Sequence, residues 1–235
     1  MFATFVNGLI VIAGGLIGVL FRDKINRTYT DAVFFGLGLV VLVMGVMNAI
    51  KTADVLGMVL CLALGILIGE GLDLEGKTEK LGQRLEKKMM RGKEDGGRFS
   101  QGFVSGSLLF CVGSMAIMGA LEAGIHHDST IILSKAMIDG IAAITLAAGL
   151  GIGVAFSALA IWAYQGTLTF FAGYLAPYLQ EAVVLEMSAI GGVLLIAISL
   201  NMLGIGKHAK VANMLPAIFL PLLYQPIVSL IGSLF

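Results

Sequence analysis

Apolar residues run along this chain in long blocks, cut by short polar connections. The first three blocks cover Phe2–Phe21, Ala32–Ile50 and Val55–Leu72. Each holds close to the roughly 20 residues that a helix needs to cross a hydrocarbon core about 30 Å thick. A fourth block, Phe103–Leu121, follows a long charged segment. From Ile131 the chain stays apolar to Tyr164, too far for one ordinary span, and Gly149, Gly151 and Gly153 interrupt that run. The interruption allows one long tilted helix or two shorter segments hinged at the glycines. An aromatic stretch then reaches Tyr178, and apolar blocks cover Ala182–Leu203 and Val211–Leu234. The pattern predicts an all-α, polytopic transmembrane helix bundle of seven or eight spans.

Composition agrees with the pattern. The chain is 58% hydrophobic and 13% charged, against roughly 45–50% apolar and 25% charged in soluble domains, and its mean hydropathy is +0.96. The first block has no basic residues before it and is followed by Arg22, Lys24 and Arg27. That flank reads as a retained span and not as a cleaved signal peptide. Cys61 and Cys111 both lie inside apolar blocks, where a small packing residue is the simpler reading than a disulfide or metal site.

Formal net charge is zero, but the charges are unevenly placed. Between Asp73 and Arg98 the chain carries Lys77, Lys80, Arg84, Lys87, Lys88, Arg91, Lys93 and Arg98 among six acids. Leu74, Leu81, Leu85 and Met89 recur there at helical spacing, which fits either an amphipathic helix at the headgroups or a solvated cytoplasmic helix. The chain thus divides into an N-terminal transmembrane half (residues 1–72), a basic linker (73–98) that could engage anionic lipid, and a C-terminal transmembrane half (99–235). The positive-inside rule places the linker in the cytoplasm, with the N-terminus and the connection carrying His126, His127 and Asp128 outside. Lys207, His208 and Lys210 prefer the inside, which eight spans satisfy with the C-terminus outside.

An internal repeat is also expected. Asn7 to Phe21 matches Asp139 to Phe156 with a three-residue insertion, and Gly38 to Asn48 matches Gly192 to Asn201. Asn7 then aligns with Asp139, and Asn48 with Asn201. Under the charge-based topology the two copies are inverted, an architecture that secondary transporters use to build solute sites near the bilayer midplane.

Few residues in the blocks could carry chemistry. Asp139 lies deep in an apolar run, where an ionised carboxylate costs roughly 2.5–3.5 kcal/mol on insertion scales, so such residues face a partner, a cavity or a pathway. Lys135, four residues earlier, is on the same helical face. Glu70 and Glu122 fall at span ends, where carboxylates commonly reach the headgroups. Asn7, Asn48, Asn201, Gln165 and Gln225 could line a polar path or hydrogen-bond between helices. Gly14 with Gly18, Gly65 with Gly69 and Gly102 with Gly106 predict close helix packing. Pro216, Pro221 and Pro226 predict a kinked or broken last span. Trp162, Tyr164, Tyr174 and Tyr178 read as an interfacial belt. His126, His127 and Asp128 have no further ligand near them in sequence, so no metal is expected, and no cofactor or nucleic acid partner either. Without a phosphate-binding loop, a zinc-protease motif or a nucleophile elbow, the chain reads as no enzyme.

Three segments carry a family likeness: Asn7-Gly-Leu-Ile-Val-Ile-Ala-Gly-Gly-Leu-Ile-Gly, Gly69-Glu-Gly-Leu-Asp-Leu-Glu75, and Ser105-Gly-Ser-Leu-Leu-Phe-Cys-Val-Gly-Ser-Met-Ala-Ile-Met-Gly119. Over essentially its whole length the chain resembles the YqgA/YdfK-like bacterial membrane proteins, a domain-of-unknown-function family. The resemblance implies a bacterial inner-membrane protein and brings no substrate or catalytic residue. The functional expectation is therefore a transporter or channel for a small solute or ion, with Asp139, Lys135, Asn7, Asn48, Asn201, Glu70 and Glu122 along its pathway. The rival is a membrane scaffold or regulator acting through the basic linker. The lipid bilayer is the expected environment, and a homo-oligomer is left open.

Overall fold

The computed structural model describes residues 1–22, 27–89, 98–205 and 209–224. Lys24, Lys207, His208, Gln225 and Pro226 lie outside the described residues, as do the side chains at 22–31, 33–34, 81–83 and 85–98. The chain is all α-helical in architecture: α1 Phe2–Arg22, α2 Arg27–Ala49, α3 Val55–Leu72, α4 Leu74–Met89, α5 Arg98–Cys111, α6 Ser114–Ile125, α7 Thr130–Leu150, α8 Gly153–Phe170, the short α9 Ala172–Leu175 and α10 Glu181–Leu203, followed by a 3-10 helix, Val211–Phe219. Among the described residues, α1, α3, α7 and α10 are each long and apolar enough to cross a membrane, and α5 with α6 meets the same measure together as a bent pair.

The packing is that of a protein whose solvent is lipid. In α3 the buried residues are Gly57, Cys61, Gly65 and Gly69, four apart, while Leu56, Leu60, Leu64 and Leu67 are exposed. A water-soluble helix buries its leucines. Here the small residues face inward because helix association in a bilayer depends on close backbone approach, not on hiding apolar surface. A Cβ on Gly69 would overlap the Asn213 carbonyl, and one on Gly65 would overlap Ala217. Gly14 and Gly18 of α1 meet the carbonyls of Gly140 and Ile144 in the same way.

These contacts fix helix direction. Ile10, Gly14 and Gly18 pack in order against Gly140, Ala143 and Ala147, so α1 and α7 run parallel. The start of α1 and the 122–130 connection therefore share one side of the bundle. Thr4 meets Thr169, Gly8 meets Trp162 and Gly15 meets Ala155, so α1 and α8 are antiparallel. The run from Ile131 to Tyr164 is thus two segments, and the chain reverses at Gly151, whose φ of 80° suits glycine. Gly38 beside Leu203 and Gly45 beside Ile196 make α2 and α10 antiparallel, and α3 lies antiparallel to the 3-10 helix. α10 is mostly buried and forms the bundle's centre.

Two expected spans are not continuous helices. The block Phe103–Leu121 breaks at Val112–Gly113, where α5 and α6 bend by 61°. Gly113 takes a φ of 122°, which no ordinary helical residue adopts. The last block begins as a 3-10 helix containing Pro216, whose missing N–H removes an α-helical bond. The aromatic belt also divides: Tyr174 and Tyr178 are exposed, whereas the Trp162 ring stacks on Phe5 at 5.4 Å and donates to its carbonyl oxygen.

Candidate functional site

Four helices bring a polar cluster together inside the apolar bundle. Asp139 stands midway along α7, and Lys135 lies one turn before it on the same face. Both are buried, as are Asn7 on α1 and Gln165 on α8. The Lys135 ammonium pairs with the Asp139 carboxylate and donates to the Phe110 carbonyl oxygen at 2.7 Å. Phe110 is in the last turn of α5, beside the break. The break is thus tied to the ion pair by a main-chain oxygen.

Asn7 links the remaining members. Its Nδ2 donates to Asp139 Oδ2 at 3.3 Å and to Gln165 Oε1 at 3.1 Å. Parallel packing of α1 on α7 sets the first bond, and antiparallel packing of α1 on α8 sets the second. Among the described residues, Asn7 Oδ1 and Gln165 Nε2 are buried without a hydrogen-bond partner. Buried polar atoms are ordinarily paired, so two orphans in one cluster mark a place where a ligand can bond. Thr4 and Thr169 face each other one turn further along α1 and α8.

The other expected pathway residues lie elsewhere. Asn48 donates to the Met44 carbonyl of its own helix. Asn201 binds both the N–H and the carbonyl of Ala209, closing the turn after α10. Glu70 pairs with Lys210 at 3.2 Å on an exposed face, and Glu122 pairs with His126. Asp128 accepts from the Thr130 hydroxyl and N–H, which hold its carboxyl below the usual range.

Two carboxylates that sequence reasoning did not single out do structural work. Glu186 of α10 is buried and accepts from the Thr52 hydroxyl at 2.6 Å and from the Ala53 and Asp54 N–H groups. Asp54 in turn caps α3 through the Gly57 N–H and accepts from the Tyr224 hydroxyl. The available signal was a lone acid inside the apolar block Ala182–Leu203. Glu75, at the start of α4, accepts from the Ala212 N–H, while its own N–H donates to Asn213. Burial holds the Glu75 carboxyl above its ordinary value.

Two cavities lie on the α4 side of the bundle, and none of Asn7, Lys135, Asp139 or Gln165 lines them. One of about 220 Å³ is lined by Glu75, Glu79, Ser100, Gln101, Ser105 and Asn201. A second, apolar cavity of about 230 Å³ shares Val104 with it and includes Ser107, Cys111 and Tyr164. Cys111 and Tyr164 are the chain neighbours of Phe110 and Gln165. Among the described residues no group of three His, Cys, Asp or Glu side chains could hold a metal ion.

The comparisons with known proteins agree with this architecture. A family model described as "Protein of unknown function (DUF554)" matches residues 2–225. The chain is 32% identical over 226 residues to "Uncharacterized membrane protein YdfK" of Bacillus subtilis (strain 168), covering 94% of both chains. It is 32% identical over 223 residues to "Uncharacterized protein YqgA" of Escherichia coli (strain K12), covering 92% of both. No solved structure matches the chain. A whole-length family match, a membrane-protein relative and a bundle whose leucines face outward make this chain an integral membrane protein belonging to the DUF554 family.

Proposed function

We propose that the protein is a transporter or channel for a small solute or ion in the bacterial inner membrane, and not an enzyme. The observation that carries this reading is the buried Lys135–Asp139 pair bound to a main-chain carbonyl at the break of a helix. Buried ionisable groups are costly in a bilayer and belong to pathways, and discontinuous helices are where transporters expose main-chain groups to solutes.

The helix pairs add support. α1 with α8, α2 with α10, and α3 with the 3-10 helix are each antiparallel in contact. A two-fold axis in the membrane plane generates such pairs, so an inverted repeat is the reading we favour. In it α8, and not α7, is the counterpart of α1. Eight crossings follow, with α5–α6 as one broken span, and the N-terminus and the 122–130 connection outside.

The reading is tested by flux in liposomes. The Asp139→Asn protein, folded in detergent, should lose solute-dependent flux, and a chain shortened within 85–98, beyond the cavity residues, should keep it. Full flux in Asp139→Asn would remove the cluster from the pathway. Absence of flux in the wild type, with a cellular phenotype that is lost on shortening the linker, would favour a non-transporting scaffold or regulator that acts through anionic lipid at Lys77 to Arg98.

A further inference from the structure

The Lys135 ammonium sits where a free cation would sit. It touches one carboxylate, that of Asp139, and the Phe110 carbonyl at 2.7 Å. Phe110 belongs to the C-terminal turn of half-helix α5, the end that carries partial negative charge. Asn7 donates to the same Asp139 carboxylate through its Nδ2 and holds it in place. A carboxylate with the carbonyls of a half-helix C-terminus is an oxygen donor set that holds hard monovalent cations inside membranes.

Charge narrows the class. One carboxylate neutralises one unit charge, so a divalent ion would leave the buried site positive. The cavity nearest the α4 side carries Glu75 and Glu79, and acids lining a cleft concentrate cations there. Beside the cluster, the second cavity holds Ser107, whose buried hydroxyl lacks a partner among the described residues. Lysine carries its charge on a flexible four-carbon stem, so its head group can be displaced without moving the helix.

We infer that Asp139 and the Phe110 carbonyl form a monovalent-cation site whose resident occupant is the tethered Lys135 ammonium, and that an alkali cation and Lys135 are alternative occupants of it. The inference rests on the transport reading and names its solute class. Lys135 closes the site in the state described, and an entering sodium or potassium ion takes its place on Asp139 as the Lys135 head group swings out of the cluster, so that one unit of positive charge still faces one carboxylate.

Thermal unfolding of the full-length chain in detergent tests this, in NaCl, KCl or choline chloride at equal ionic strength. Lys135→Met leaves the Asp139 carboxylate buried without its cation. That variant should melt low in choline chloride and recover by about 5 °C or more in an alkali salt. The double variant, Lys135→Met with Asp139→Asn, should melt alike in all three salts. An equal melting point of Lys135→Met in every salt overturns the inference, as does an alkali effect that persists in the double variant. Failure of Lys135→Met to fold in any salt while the double variant folds overturns it too. Sodium-23 line broadening on the wild-type chain provides a reading that needs no Lys135 variant: broadening removed by Asp139→Asn supports the site, and broadening indifferent to Asp139 or absent overturns it. Cation binding without flux in liposomes would remove the transport reading and leave the site. Flux of an uncharged solute without any cation dependence would do the reverse.

Discussion

Glu186 holds Ala53 by a 2.7 Å hydrogen bond from the Ala53 N–H to its carboxylate, tying the middle of the α2–α3 connection to the central helix. The same carboxylate also receives the Thr52 hydroxyl and the Asp54 N–H. Three donors on one buried carboxylate fix the loop that starts α3. Glu186→Ala removes the acceptor of three part-buried hydrogen bonds, at a cost of about 0.5–1.5 kcal/mol for each bond lost. Unfolding in detergent should show a loss of at least about 2 kcal/mol. A change within about 0.5 kcal/mol, the range of surface substitutions, would mean the loop does not depend on Glu186.

Close packing of α1 on α7 makes a second prediction. A Cβ at Gly18 would overlap the Ile144 carbonyl and lie 2.9 Å from the Ala147 Cβ, whereas at Gly36 it would meet nothing within 4 Å. Gly18→Ala should destabilise by about 1–3 kcal/mol through overpacking. Gly36→Ala should be neutral or stabilising, since alanine favours the helix by roughly 1 kcal/mol. Equal melting points for the two variants would contradict the parallel α1–α7 contact.

Much of this packing was legible in the sequence. The four-residue spacing of Gly14 with Gly18 and of Gly65 with Gly69 pointed to close helices, and each pair meets a neighbouring backbone. Lys135 and Asp139 were legible for a similar reason, because an i, i+4 pair is local. Gln165 was harder. Its partner Asn7 is 158 residues away, and no local rule links the two. The break at Gly113 was hidden because residues on both sides of it are apolar, so hydropathy runs through it without a change. Asn48 and Asn201 were singled out by the repeat, but each satisfies nearby backbone.

Glu75 makes the α4 contact depend on pH. Burial raises its carboxyl above the ordinary range and the nearby Glu79 charge adds to this, while the Ala212 N–H opposes them. A group whose folded pKa is raised favours the folded state when protonated. The stabilisation is complete below the unfolded carboxyl value and is lost as pH rises through the higher folded value. Wild-type melting temperature should therefore climb as pH falls through that window. Glu75→Gln, which keeps an oxygen for Ala212, should melt higher than wild type at pH 7 and lose the climb. A variant with the wild-type pH slope would assign that slope to another group.

Helix direction predicts which positions share an aqueous face. Phe2 is exposed at the start of α1, and His127 is exposed in the connection before α7. With Cys61 and Cys111 replaced by serine, Phe2→Cys and His127→Cys should react with a membrane-impermeant maleimide from the same side of intact vesicles. Arg84→Cys, on α4, should react from the other side. Labelling of Phe2→Cys and His127→Cys from opposite sides would rule out the parallel arrangement.

The cluster also sets a schedule for assembly. Asn7 enters the membrane with the first helix, but Asp139 follows 132 residues later and Gln165 later still. At about 5–20 residues per second, Asn7 waits roughly 7 to 26 s for its first partner. During that interval the Asn7 amide stands in the bilayer without the partners it has in the folded chain, and it is satisfied only when the hairpin of α7 and α8 arrives to close over it.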